Sequence, residues 1–147
     1  MGRVVKATLG ILVVALIGAQ AIRPERTNPP VESDVAAPPV IAPLLRRACY
    51  DCHSHETVWP WYSLVAPVSW LLAHDVREGR EDLDFSTWAA YGPVKKAKKL
   101  RETADEVTQG EMPPRLYRVA HREARLTAAE RQVLAAWCAA EIARLGR

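Results

Sequence analysis

Residues 49–53 read CYDCH, and the prediction of the fold begins from this pentapeptide. Two cysteines three positions apart are followed at once by a histidine. On a helical turn, positions i and i+3 lie on one face, so Cys49 and Cys52 project together beside His53. This spacing is typical of covalent haem c attachment. It predicts one haem held by two thioether bonds, from Cys49 and Cys52, with His53 as the proximal iron ligand.

Two other kinds of site use paired cysteines, and the sequence favours neither. A structural zinc site needs four ligands, usually with a second Cys or His pair, but the only other cysteine is Cys138. A thioredoxin-like redox pair belongs beside a βαβ pattern, and no strand-like alternation lies near residues 49–53. We expect Cys138, on the inward stripe of a helix, to be a buried free thiol.

Length and charge indicate one small domain without affinity for nucleic acid. The chain has 147 residues, with 20 basic and 17 acidic side chains. Because Arg3 and Lys6 precede an apolar N-terminal run, the remainder is nearly balanced in charge. No basic patch of the kind that binds nucleic acid is expected.

The N-terminal segment, residues 1–22, is predicted to be a signal peptide or an N-terminal transmembrane anchor. Arg3 and Lys6 are followed by an apolar run at residues 7–22, which is shorter than the ~20 residues that span a bilayer comfortably. Ala19-Gln20-Ala21 has the small-x-small form of a cleavage site. Either outcome sends the remaining chain to the periplasmic side of a bacterial inner membrane, anchored there or released after Ala21.

Residues 23–42 are rich in proline and are predicted to form a semi-rigid linker. Residues 43–147 then show helical patterns and no convincing strand. The second predicted helix runs from Val68 to Glu78 and is stopped by Gly79. The first helix is predicted to begin at Pro43 and the second just after Pro67. The third is predicted to begin at Pro93 and to end at Gly110. The fourth is predicted to begin at Thr127, where Glu130 completes a capping box. We therefore predict an all-α domain of about four helices around the haem.

Met112 is the predicted sixth ligand of the haem iron. It precedes two prolines, which hold the residue before them in an extended conformation, and Met1 is the only other methionine. A thioether suits the iron of an electron carrier. The alternatives are nitrogen ligands from His121, His74 or His55.

These segments together resemble the bacterial cytochrome c-like haem-binding domain family over residues 42–140. Besides CYDCH, the resemblance rests on WPWYS at residues 59–63 and on EMPP at residues 111–114. It implies a membrane-associated, monohaem domain of cytochrome c-like fold, with the CYDCH motif and Met112 on opposite faces of the haem. Asp84 stands where the family leads us to expect Asn.

Other residues are candidates for supporting roles. Pro60 or Pro67 is expected to offer its carbonyl to the second ring nitrogen of His53, and His55 is expected to face solvent. The aromatic residues expected to wall the haem, or else to serve as ordinary packing, are Trp59, Trp61, Tyr62 and Trp70. The basic residues expected to form a solvated helix face, or else to steer an acidic redox partner, are Lys95, Lys96, Lys98, Lys99 and Arg101.

Two functions follow from this reading. Ligation by His53 and Met112 fills both axial positions of the iron, which favours an electron-transfer protein over an enzyme. A gas or redox sensor, or a peroxidase-like enzyme, requires a distal ligand that leaves easily. The redox partner protein is not identified by the sequence.

Overall fold

The computed structural model describes residues 2–146, and this part of the chain is all-α, as predicted. Within it, the only strand-like feature is an isolated bridge between Ser33 and Thr87. The α-helices are α1 (Arg3–Ala19), α2 (Ala42–Ala48), α3 (Tyr50–His53), α4 (Val68–Asp82), α5 (Pro93–Gln109), α6 (Arg115–Ala120) and α7 (Ala128–Leu145). Short 3₁₀ helices occupy Trp61–Leu64, Trp88–Ala90 and Arg122–Ala124. The first predicted helix corresponds to α2 and α3, which are separate elements, whereas α6 was not predicted because it is too short to show a repeating apolar stripe.

The contact between α5 and α7 forms much of the core. On α5, Leu100 and Val107 are each 2% exposed, and on α7, Leu134 is 1% exposed. Burying an aliphatic side chain of this size contributes about 1.5–3 kcal/mol. The apolar residues that recur at helical spacing on α5 and α7 face this core, apart from the exposed Val133. Cys138 is a buried free thiol, as expected, and burial raises its pKa to about 12.

The ends of α5 and α7 follow the capping signals in the sequence. Gly110 ends α5 with φ at 82°, a left-handed conformation that glycine adopts without a steric penalty. Thr127 begins α7: its side chain accepts from the N–H of Glu130 at 3.2 Å, and its own N–H donates to the Glu130 carboxylate at 2.8 Å. The predicted capping box is therefore confirmed.

Helix α4 is longer than the sequence predicts. Gly79 was expected to stop it, since glycine commonly follows a helix C-terminus, but the helix continues to Asp82. The N–H of Leu83 donates to the carbonyl of Gly79 at 2.9 Å and closes the last turn. Gly79 therefore lies inside the helix.

The proline-rich segment lies along the helical domain instead of extending away from it as a spacer. The N–H groups of Glu32 and Ser33 both donate to the carbonyl of Ser86, at 3.0 and 2.9 Å. Val35 and Ile41 are 8% and 2% exposed. Burial of these two apolar side chains and pairing of the backbone polar groups favour packing over an extended chain.

Helix α1 covers most of the apolar N-terminal run, and its apolar side chains are exposed. Just after it, the Gln20 side chain exchanges two hydrogen bonds with the backbone of Ala66, at 3.2 and 3.0 Å. Among the described residues, no helix combines the length and the apolar character needed to cross a bilayer.

Candidate functional site

The CYDCH motif forms a helical turn directly after α2. The N–H of His53 donates to the carbonyl of Cys49 at 2.9 Å. Cys49 and Cys52 are half-buried and form no disulfide. Burial raises the pKa of each thiol to about 12, so both carry their protons at neutral pH. One turn of chain thus presents two protonated thiols and an imidazole.

The imidazole of His53 is held through one nitrogen only. Its Nδ1 lies 2.9 Å from the carbonyl oxygen of Gly79 and 3.0 Å from that of Leu83. Since a carbonyl can only accept, Nδ1 carries a hydrogen, and in the neutral imidazole Nε2 then keeps its lone pair. Metal-binding histidines use this arrangement. The expectation that Pro60 or Pro67 supplies the carbonyl is wrong, because the last turn of α4 lies against the ring instead.

Gly79 allows α4 to approach the motif this closely. A Cβ atom at position 79 would lie 2.6 Å from the carbonyl oxygen of Cys52 and 3.1 Å from its Cβ. Both are shorter than ordinary contacts, and the oxygen belongs to the backbone. Tertiary packing therefore requires glycine at position 79. The sequence had suggested instead that Gly79 ends the helix.

Replacing Gly79 with alanine should lower the free energy of unfolding by about 1–3 kcal/mol, the range typical of overpacking. The clash with backbone should outweigh the ~1 kcal/mol that alanine gains in helix propensity. Urea denaturation followed by circular dichroism measures the change. Gly146→Ala, just after α7, is the control, because its added Cβ would meet only the carbonyl oxygen of Ile142, at an ordinary 3.9 Å. Parent-like stability of Gly79→Ala would contradict the close approach.

Asp51, inside the motif, fixes the surrounding loops. Its carboxylate accepts from the N–H of Val58 at 2.9 Å and from the hydroxyl of Tyr117 at 2.6 Å, and its carbonyl accepts from Thr57 Oγ1 at 2.8 Å. Burial, together with the bond to Asp51, raises the pKa of Tyr117, which stays a neutral donor. The bond between Tyr117 and Asp51 ties α6 to α3. Sequence reasoning missed both residues.

Arg80 joins α4 to the motif and to the proline-rich segment. Its Nε donates to the carbonyl of Ser54 at 2.8 Å. Its two Nη atoms donate to the carbonyl of Thr27, the side-chain oxygen of Asn28 and the hydroxyl of Thr57, at 2.9, 3.0 and 2.9 Å. The planar guanidinium suits this set of acceptors. Partners as far as 53 positions away leave no local sequence signal.

Met112 lies on a capped loop, as its neighbouring prolines predict. The N–H groups of Gly110, Glu111 and Met112 all donate to the carbonyl of Glu106 near the end of α5, at 3.1, 3.0 and 3.2 Å. Pro113 is buried, while Met112 is 36% exposed. The thioether is thus carried near the surface, on the chain that leads into α6, and not on a helical stripe of the core.

His55 does not face solvent as expected. Its side chain is 10% exposed, with Nδ1 2.8 Å from the carbonyl of Pro30 and Nε2 2.8 Å from the carboxylate of Asp84. Asp84 also accepts from the N–H of Ser86 at 2.8 Å. The aspartate that replaces the expected Asn is therefore satisfied within an ordered turn. Both ring nitrogens of His55 are occupied.

The other two histidines have different surroundings. His74 lies on an exposed part of α4, 3.9 Å from the carboxylate of Glu78. His121 follows α6, where its ring stacks on Tyr117 at 4.1 Å and its Nε2 lies 3.2 Å from the hydroxyl of Tyr62. The contact between His121 and Tyr62 joins the end of α6 to the 3₁₀ helix Trp61–Leu64.

The tryptophans after the motif have different surroundings and do not form one continuous surface. Trp61 is 76% exposed, and Trp70 donates its Nε1–H to the carbonyl of Ile22 at 2.8 Å. The Nε1 atom of Trp59 is buried and has no hydrogen-bond partner among the described residues. A buried donor of this kind calls for an acceptor from a bound group or water.

The basic residues of α5 are largely engaged within the domain. Lys98 pairs with Glu102 at 3.5 Å, as the i, i+4 spacing predicts. Lys99 contacts Asp82 at 2.7 Å and Glu102 at 2.9 Å. Lys95 lies 3.8 Å above the ring of Tyr91. The prediction of a solvated helix face therefore holds for the exposed Lys95, Lys98 and Arg101, but not for Lys99, which is 9% exposed.

An all-α domain with this motif and histidine environment is of the haem-binding class. The chain belongs to the haem-binding domain family, whose sequence pattern matches residues 14–140, so the recognition made from the CYDCH, WPWYS and EMPP segments is confirmed. No curated protein and no solved structure matches the chain.

The residues of the site fit a haem group. Two free thiols lie beside an imidazole whose Nε2 retains its lone pair, and the unpartnered Nε1–H of Trp59 could donate to a haem carboxylate. Tyr62 and His121 join the 3₁₀ helix Trp61–Leu64 to the end of α6. Each of these two elements exposes a large apolar side chain: Leu64 is 64% exposed and Leu116 is 76% exposed. A flat apolar cofactor would cover such side chains.

Proposed function

We propose that the chain is a monohaem c protein that carries electrons. The thiols of Cys49 and Cys52 would each add across one vinyl group, forming a carbon–sulfur bond while the thiol hydrogen passes to the other vinyl carbon. His53 would bind iron through Nε2. The observation that supports the proposal is the double contact of His53 Nδ1 with the carbonyls of Gly79 and Leu83, which leaves Nε2 available to a metal.

Met112 is the proposed distal ligand. Its soft thioether suits haem iron, and the capped loop restricts where it can lie. Of the histidine alternatives, His55 would first have to break its contacts with Pro30 and Asp84. His121 would have to leave Tyr62 and its stacking on Tyr117. Met112 has no comparable contact to lose.

Bound haem supplies an iron that changes between ferric and ferrous states and so takes up or releases one electron. If His53 and Met112 both held the iron, no position on it would remain for a substrate, which supports a carrier over an enzyme. A gas or redox sensor, or a peroxidase-like enzyme, is the second candidate. This candidate requires Met112, which lies near the surface, to leave the iron easily.

We place the protein on the periplasmic side of a bacterial inner membrane, where a partner protein would exchange electrons with it. Arg3 and Lys6 at the start of the exposed apolar helix α1 support an export signal or anchor. Membrane fractionation and N-terminal sequencing test this location. A mature chain that begins at Ile22 would identify a cleaved signal.

A pyridine haemochrome assay of the purified protein tests the cofactor. The single Cys-x-x-Cys-His motif predicts one haem c per chain. The haem should stay with the protein in acidified acetone, because thioether bonds survive this extraction. Haem that passes into the solvent, or two haems per chain, would contradict attachment at Cys49 and Cys52.

A further inference from the structure

A cleft beside α6 gathers four arginines. Its volume is about 280 Å³, and it is lined by Arg115, Arg118, Val119, Arg125, Leu126 and Arg131. None of these arginines forms an ion pair with a carboxylate within residues 2–146. Elsewhere, Arg46, Arg47, Arg77 and Arg144 each have such a partner. Four guanidinium groups without a carboxylate partner among the described residues thus line one cleft.

The cleft lies on the side of α6 that faces away from the CYDCH motif. Arg115 and Arg118 are three positions apart, so they share one face of the helix. Tyr117, two positions after Arg115, projects to the opposite side, where its hydroxyl donates to Asp51 at 2.6 Å. Arg115 and Arg118 therefore do not share the face of α6 that contacts the motif.

Two of the arginines are held in place by the backbone. Arg125 donates through Nε to the carbonyl of Arg118 at 2.8 Å, and Arg131 donates through Nε to that of Leu126 at 3.4 Å. The Arg131 guanidinium lies against Gly110, where a Cβ would be 2.6 Å from Nη1. These bonds restrict both side chains while leaving Nη groups for a ligand. Guanidinium groups fixed in this way bind an anion with a smaller loss of entropy.

We propose that this cleft binds a phosphate group. A phosphate offers several oxygens to the forked donors of arginine, and its charge offsets the repulsion among four cations. Val119 and Leu126 add apolar side chains to the lining of the cleft. Both a free phosphate compound and a phospholipid headgroup have this chemistry. The proposal does not depend on the assignment of haem.

Isothermal titration calorimetry of the full-length, haem-loaded protein with inorganic pyrophosphate tests the site. Arg118→Gln should weaken binding about tenfold or more, the effect of losing a charge-assisted bidentate contact. Arg118→Lys should weaken it less, since the charge remains while the fork is lost. Arg77→Gln is the matched control, because this exposed arginine lies on α4. Thermal melting checks that all variants fold.

Sedimentation with phosphatidylcholine vesicles, with and without phosphatidylglycerol, identifies the source of the phosphate. Affinity for phosphatidylglycerol that falls in Arg118→Gln but not in Arg77→Gln supports a lipid headgroup. Affinity for pyrophosphate alone, with the same dependence on Arg118, supports a free anion. Absence of both kinds of binding, or binding that the Arg118 variants leave unchanged, would overturn the proposal.

Discussion

Replacing Phe85 with alanine should lower the free energy of unfolding by about 3–5 kcal/mol. Phe85 is 2% exposed and stacks on Tyr50 with ring centroids 5.3 Å apart. Its edge-on contact with the His53 ring has a centroid distance of 6.5 Å, and Trp88 lies 6.3 Å away. Alanine would leave a cavity between three aromatic neighbours. Since small domains are stable by only about 5–15 kcal/mol, this loss is a large fraction of the total.

Urea denaturation of the haem-loaded chain, followed by far-ultraviolet circular dichroism, measures this effect. Phe85→Leu should lose less stability, because leucine refills part of the space. Val94→Ala controls for removal of an apolar side chain at a position that is 86% exposed, and it should change stability by less than about 0.5 kcal/mol. Equal stability of the Phe85→Ala and Val94→Ala proteins would show that Phe85 does not support the site.

The parts of the fold that sequence predicts well are those that neighbouring residues determine. The capping box of α7 is complete within Thr127 and Glu130, and Gly110 adopts the positive φ that ends α5. The stripes of α5 and α7 recur at helical spacing, so their burial follows from the pattern. Residues 49–53 likewise carry the haem prediction within five positions, since the motif brings its own spacing.

Contacts between distant residues account for the errors. Gly79 has the local signature of a helix end, but its lack of a side chain is required by the backbone of Cys52, which meets it only in the folded chain. His55 reads as a loop residue, yet Asp84 and Pro30 enclose it from two other segments. The proline-rich segment has the composition of a spacer, and its hydrogen bonds to Ser86 could not be inferred from that composition.

The same distinction between local and distant contacts applies to the candidate site. Cys49, Cys52 and His53 are apparent from the sequence, whereas the residues that orient them are not. Gly79 and Leu83 contact His53 through carbonyl oxygens, which every residue possesses, so no side-chain type marks them. Asp51 lies inside the motif at a position where the spacing permits any residue, and its partner Tyr117 is 66 positions away.

Replacing Met112 with alanine should convert the proposed carrier into a protein with an open distal position. The oxidised parent should show the weak near-infrared band of sulfur-to-iron charge transfer, and the variant should lose it. No other internal methionine exists to replace the thioether, and the hydrogen bonds to Glu106 hold the loop in place. Loss of this soft ligand, which favours ferrous iron, should lower the reduction potential by on the order of a hundred millivolts, within the ~0.8 V span that axial ligands govern.

Met112→Leu separates ligation from packing. Leucine has nearly the volume of methionine and should keep the stability of the domain, but it offers no donor atom to iron. Both variants, when reduced, should bind carbon monoxide readily, and the parent should not. Spectroelectrochemical titration measures the potential, and visible spectra with carbon monoxide report the open position. If the parent lacks the sulfur band and binds carbon monoxide as fast as the variants do, its distal position is already open. A sensor or peroxidase-like function would then have more support than electron transfer.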